Sequence, residues 1–207
     1  MTGFRTAPGA ALAALLFVLP SLAFAQSKEE DLATMRAVTE KYRDVEVAMA
    51  DGYVPDPTGM CVTGAMAGDP ELGDMGIHYF RPDLLGITEM APPVDGSDAE
   101  IVWEKPELLV YVPDADGTME LVAIEYLVFE SAWKAAGHED PPAFHDQTFY
   151  RMADDPETEV DEAHAFTPHY ELHVWTAREN PAGMFAEFNP NVTCPPIERD
   201  EQASAGR

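Results

Sequence analysis

Between Lys28 and Ala50, apolar residues return at three- and four-residue steps. Leu32, Met35, Val38, Tyr42, Val45 and Met49 make one face, and charges fill the other. That period predicts an amphipathic helix over 28–50, stopped by Asp51-Gly52 and Pro55. Residues 55–74 are rich in Gly, Pro, Asp and Met and predict a long loop carrying Cys61. The pattern then changes to short runs of β-formers. Residues 76–80, 108–112, 119–129 and 168–177 (PHYELHVWTA) predict strands, with a weaker one over 145–151. Asp114-Ala115-Asp116-Gly117 predicts a hairpin turn between two of them. One helix followed by hairpin-linked strands predicts an α+β fold, with the N-terminal helix packed on a curved antiparallel sheet or partial β-barrel. No repeat or linker divides the chain, so a single globular domain is expected over 26–197, with a flexible polar tail over 198–207.

Strand alternation brings chemistry into view. Within PHYELHVWTA, His169, Glu171, His173 and Trp175 share one face, while Tyr170, Leu172, Val174 and Thr176 share the other. On a helix His169 and His173 would still be neighbours, whereas Glu171 joins them only on a strand. In the 119–129 run, Glu125 shares a face with Leu121, Ala123, Leu127 and Phe129, and Val122, Ile124, Tyr126 and Val128 oppose it. Both faces are apolar, so the strand is expected to be buried. A buried carboxylate must be paired, metal-bound or protonated. His78 lies between Ile77 and Tyr79 in the same predicament.

His78, Glu125, His169 and His173 thus form a candidate ligand set for one divalent transition metal: Zn, Cu, Fe, Mn or Ni. The bland reading stands beside it: histidines satisfied in the core, and Glu125 paired with Arg81, Arg151 or Arg178. His145 and His164 lie in looser segments where rim ligands could come from, and His138 reads as a solvated loop residue.

Composition narrows the function classes. The chain has 38 acidic and 12 basic residues, a net charge of −26, which argues against nucleic acid and anionic membranes as partners. Arg5, the apolar run Ala10 to Leu19 and Ala23-Phe24-Ala25 read as a secretory signal over 1–25. The run is too short to span a bilayer, so no membrane insertion is expected after cleavage. The expected product is periplasmic or secreted. Removing the signal from 207 residues leaves 182 and costs one charge, taking the net to −27.

Cys61 and Cys194 read as a disulfide in an oxidising compartment, one that would stabilise the fold by roughly 5 kcal/mol in the chain-entropy account. The rival reading is a Cys61 thiolate that joins Met60, Met66 and Met75 on Cu(I). No G-x-S-x-G, P-loop, G-x-G-x-x-G or C-x-x-C-H motif occurs.

Three stretches carry a resemblance: MGIHYFRPDLL, ELLVYVPDADGTMELVAIEYLVFE and PHYELHVWTARENPAGMFAEFNPNVTC. Together they resemble a group of uncharacterised exported bacterial proteins, over roughly the whole mature domain. The resemblance implies export and puts His78, Glu125, His169 and His173 in matching motifs, and no activity comes with it. The NPAGMFAEFNP segment reads as structural, its turns letting Met184, Phe185 and Phe188 pack back. The function expected is an exported protein with a His/Glu divalent-metal site and no assigned reaction. The alternative is a non-catalytic module without metal that binds a small-molecule ligand or serves an interaction in the envelope.

Overall fold

The structure, a computed structural model, describes residues 26–56, 58–157, 163 and 165–195. The expected signal, the expected tail and His164 lie outside the described residues. The chain opens with α1 (Lys28–Thr39), a 3-10 turn (Glu40–Arg43) and α2 (Val45–Ala50). β1 (Val54–Pro55), β2 (Cys61–Thr63), β3 (Asp74–Phe80) and the short α3 (Pro82–Leu85) follow, then β4 (Leu108–Pro113), β5 (Met119–Phe129) and α4 (Glu130–Ala135). β6 (Ala143–Phe144), β7 (Gln147–Thr148), β8 (Tyr150–Met152) and β9 (His169–Val174) complete it. Seven strands form one open antiparallel sheet in the order β1-β3-β4-β5-β9-β8, with β2 also paired to β3. This is the expected α+β architecture, and the sheet does not close into a barrel. Among the described residues, no helix is long and apolar enough to cross a membrane.

The predicted 28–50 helix is in fact broken. Ser27 starts α1 with a capping box, its hydroxyl accepting from the Glu30 amide while the Glu30 carboxylate accepts from the Ser27 amide. At the other end Thr39 donates its hydroxyl back to the Met35 carbonyl at 2.6 Å. Asp44 then adopts an extended backbone, and its side chain accepts from the Glu46 amide to cap α2. A capping aspartate competes with helix continuation, which overrides the apolar period. Leu32 and Met35 from α1 bury against Tyr126, Tyr170, Leu172 and Val174 of the sheet. The aliphatic side of β9 therefore faces the helices, and its histidine side faces the opposite way.

β5 and β9 come out as expected, except for one bulge. The β4–β5 register shifts at Val110/Tyr111, which reverses the alternation at the start of β5. Leu121 joins the helix-side core, and Val122 joins Val110, Val112, Ala123, Trp175 and Val192 on the other side, the reverse of the expected assignment. The predicted 55–74 loop also contains β1 and β2, because β3 offers a partner: Val54 pairs with Phe80, and Cys61 with Ile77. The weak strand expected over 145–151 divides into β7 and β8.

The last described segment is fastened along the start of β3. Gly73 has φ +79°, and a Cβ there would meet the Asn189 carbonyl oxygen at 2.1 Å. Glycine thus permits the close approach that lets Asp74 and Asn189 exchange backbone hydrogen bonds of 3.3 and 3.1 Å. The Asp74 carboxylate also accepts from the Cys194 amide, and Cys194 is bonded to Cys61 with Cα atoms 5.8 Å apart. The disulfide removes the Cys61 thiolate reading.

At the far end of the sheet, the buried Glu130 carboxylate receives Arg151 at 2.7–2.9 Å and Lys134, locking α4 and β8 to each other.

Two outcomes follow from these restraints. Replacing both cysteines by serine is expected to lower unfolding free energy by about 2–5 kcal/mol, read by denaturant titration of the oxidised protein and the variant. Arg151 and then Lys134 hold the Glu130 carboxyl down to about 2. Its stabilising contribution is full above the ordinary value of 4.5 and is lost as pH falls toward about 2. Glu130→Gln should therefore flatten the fall of melting temperature with acidification across that window.

Candidate metal centre

Three strands deliver the central residues. β9 lies directly beside β5, with Glu125 opposite His173. On the other side β4 separates β5 from β3, with Leu108 paired to both Glu125 and Phe80, and Val110 to both Ala123 and His78. Strands two apart in a sheet are separated by about 9.5 Å. The His78 and Glu125 side chains nevertheless lean together over β4, bringing Nε2 and Oε2 to 3.3 Å.

The three ligand atoms make a nearly equilateral triangle. His78 Nε2 to His173 Nε2 is 3.4 Å, and His173 Nε2 to Glu125 Oε2 is 3.5 Å. A tetrahedral ion with bonds of about 2.0–2.2 Å sets its ligands about 3.3–3.6 Å apart. Octahedral neighbours at the same bond lengths lie about 2.8–3.1 Å apart. The triangle therefore has the size of one tetrahedral face. His173 and Glu125 are almost fully buried, and His78 retains 15% side-chain exposure.

Burial opposes ionisation of Glu125, yet its carboxyl lies below the usual carboxylate range because of the His78 ring, the Glu171 carboxyl and His169. Burial likewise opposes protonation of His78, and Glu125 reverses it, raising the pKa. The 3.3 Å approach is a charge contact rather than an aligned hydrogen bond. Glu125 Oε2 is left without a hydrogen-bonding partner among the described residues. A buried anionic oxygen of this kind is costly unless a cation sits against it. The His78/Glu125/His173 group could hold a metal ion.

No family model matches the chain, and no curated protein or solved structure matches it.

His169, expected beside His173, lies on the same side of β9 but outside the triangle. Its Nδ1 meets the Thr167 carbonyl at 2.9 Å, and its Nε2 faces Glu171 Oε2 at 3.4 Å. With Nδ1–H donating to the carbonyl, Nε2 must take a second proton to bond the carboxylate. Burial lowers the His169 pKa, Glu171 more than offsets it, and the net direction is upward. His145 contacts Asp31 of α1 at 2.7 Å, and His138 stacks on Trp133 with ring centres 3.7 Å apart.

Two corners of the triangle, His78 and Glu125, line a cavity of about 500 Å³ together with His169 and Glu171. Met60, Met66, Met75 and Met152 line it together with Phe80, Phe166 and Phe188. Two further carboxyls near the site, one in the cavity lining and one outside it, do not stand out in the sequence. Glu187 comes from the segment read as purely structural, and burial raises its pKa, with Glu171 and Glu125 adding to the effect. Glu107, next to β4, is buried outside the cavity lining and accepts from the Leu127 amide at 3.3 Å. Burial drives its pKa well above the ordinary carboxyl value. Only an AEF tripeptide and a strand-edge glutamate stand at these positions, and neither pattern distinguishes them from solvated acids.

In metal-free protein, the NMR titration of His169 should have its midpoint above the ordinary 6.5, and Glu171→Gln should drop it below. The pair's contribution to stability is full below about 6.5 and fades as pH rises through the folded-state value. A midpoint unmoved by the substitution would refute the pairing.

Proposed function

We propose that the protein is an exported metalloprotein that binds one divalent transition ion, zinc first among them, through His78, Glu125 and His173. The observation that carries this reading is the triangle of 3.3–3.5 Å separations around an orphaned carboxylate oxygen. Two imidazoles and a carboxylate with the fourth position open is a ligand set of catalytic zinc sites. The fourth position here faces the cavity, so an ion could polarise a bound substrate or lower the pKa of a bound water. His169 lies beyond the triangle, and its pairing with Glu171 supports a role in orienting groups around the ion rather than in binding it. Export is supported by the signal-like N-terminus, the disulfide and the motif resemblance.

The apolar walls favour a second reading, a cavity that carries a small ligand without metal. Metal analysis separates the two. Protein purified from the periplasm of an expression host should hold about one ion per chain. The His78→Ala, His173→Ala variant should fall to background. Zinc at 100-fold above its Kd should stabilise the wild type by about 2.7 kcal/mol, and chelation should reverse this in the wild type alone. Equal metal content in the two proteins, or a melting temperature indifferent to chelator, would instead leave the ligand carrier.

A further inference from the structure

The chemistry of the cavity also selects its occupant. Among the described residues, four acidic ones line it (Asp56, Glu125, Glu171 and Glu187), and no lysine or arginine does. Arginines near the sheet are engaged elsewhere: Arg151 with Glu130, Arg81 with Asp83 and Arg178 with Glu120. A divalent ion in the triangle, together with His169 facing Glu171 at 3.4 Å, would offset at most three of the four negative charges, and the net negative charge that remains disfavours phosphates and carboxylates. The walls are the opposite of a polar site. Thioether side chains are unbranched and polarizable, and they mould to apolar shapes of varied outline. Met60 and Met66 remain more than a third exposed at the loop before β3, where an incoming molecule would meet them first.

We propose that this cavity binds a small organic monocation: an aromatic or branched apolar body against the Met/Phe walls, with a protonated amine head between Glu171 on the floor and Glu187 on the facing segment. The inference builds on the metal centre proposed above, because the ion fixes the polar end of the cavity where the head group lies. Charge-assisted hydrogen bonds from an ammonium to a carboxylate are among the stronger polar contacts. A cavity of about 500 Å³ falls within the range that buries most of a drug-sized molecule.

Phenethylamine, phenethyl alcohol and phenylacetate share one body and differ in head group. Calorimetric titration of each into the full-length, zinc-loaded protein is the test. The amine is expected to bind at least tenfold tighter than the carboxylate, with the alcohol between them. Glu187→Gln should bring the amine close to the alcohol and leave the alcohol's affinity and the metal content unchanged.

Equal affinities for the three, tighter binding of the carboxylate, or no binding of the amine would overturn the proposal. The same titrations with His173→Ala and with chelator-stripped protein separate this failure from failure of the metal reading. A carboxylate preference that vanishes with the ion overturns the amine and upholds the metal. An amine preference in a wild type that takes up no zinc upholds the amine and removes the metal centre.

Discussion

A carboxylate held between two apolar faces governs the organisation of this protein. Glu125 sits in the longest strand, whose last nine residues are all buried, and the residues paired with it in register are Leu108 and His173. Ionised and unpaired, such a group would cost several kcal/mol. The sheet answers by placing imidazoles on both sides, one on the adjacent strand and one reaching over a strand in between. What makes the arrangement costly in apolar surroundings also makes it a ligand set, since one donor atom from each of the three side chains converges where positive charge is favoured.

Much of this was legible because strand alternation is local. The run from Met119 to Phe129 and the His-x-Glu-x-His run each state their faces without reference to the rest of the chain, and Glu125 stands out as the polar residue between two apolar faces. Three things were not local. Asp44 breaks the helix by capping its successor, which hydrophobic spacing does not register. The bulge opposite Val110 and Tyr111 exchanges the faces of Leu121 and Val122, a result of pairing that only β4 can dictate. The choice of His173 over His169 follows from the register between β5 and β9, which sets Glu125 opposite one and Phe129 opposite the other.

The outer wall was the least legible part. Glu187 and Phe188 reach the cavity because Gly73 lets the chain at Asn189 come against β3, a meeting of segments more than a hundred residues apart. The methionines that line the cavity suit ordinary core filling equally well. Their grouping around a polar floor emerges only once β2, β3, β8 and the terminal segment are assembled. The overall excess of acidic residues, by contrast, is a property of the whole surface and says nothing of the cavity by itself. The meaningful feature is that, among the described residues, no lysine or arginine joins the four carboxylates along its lining.

The covalent link between Cys61 and Cys194 joins the strand beside Met60 and Val62 to the segment that follows Glu187 and Phe188. The triangle itself rests on β3, β5 and β9, whose hydrogen bonds need no sulfur chemistry. One bond therefore fixes two segments that flank the cavity, while the strands that carry His78, Glu125 and His173 are aligned by their own backbone pairing. The mouth of the cavity and its polar end are thus held by different kinds of bond, one covalent and one cooperative.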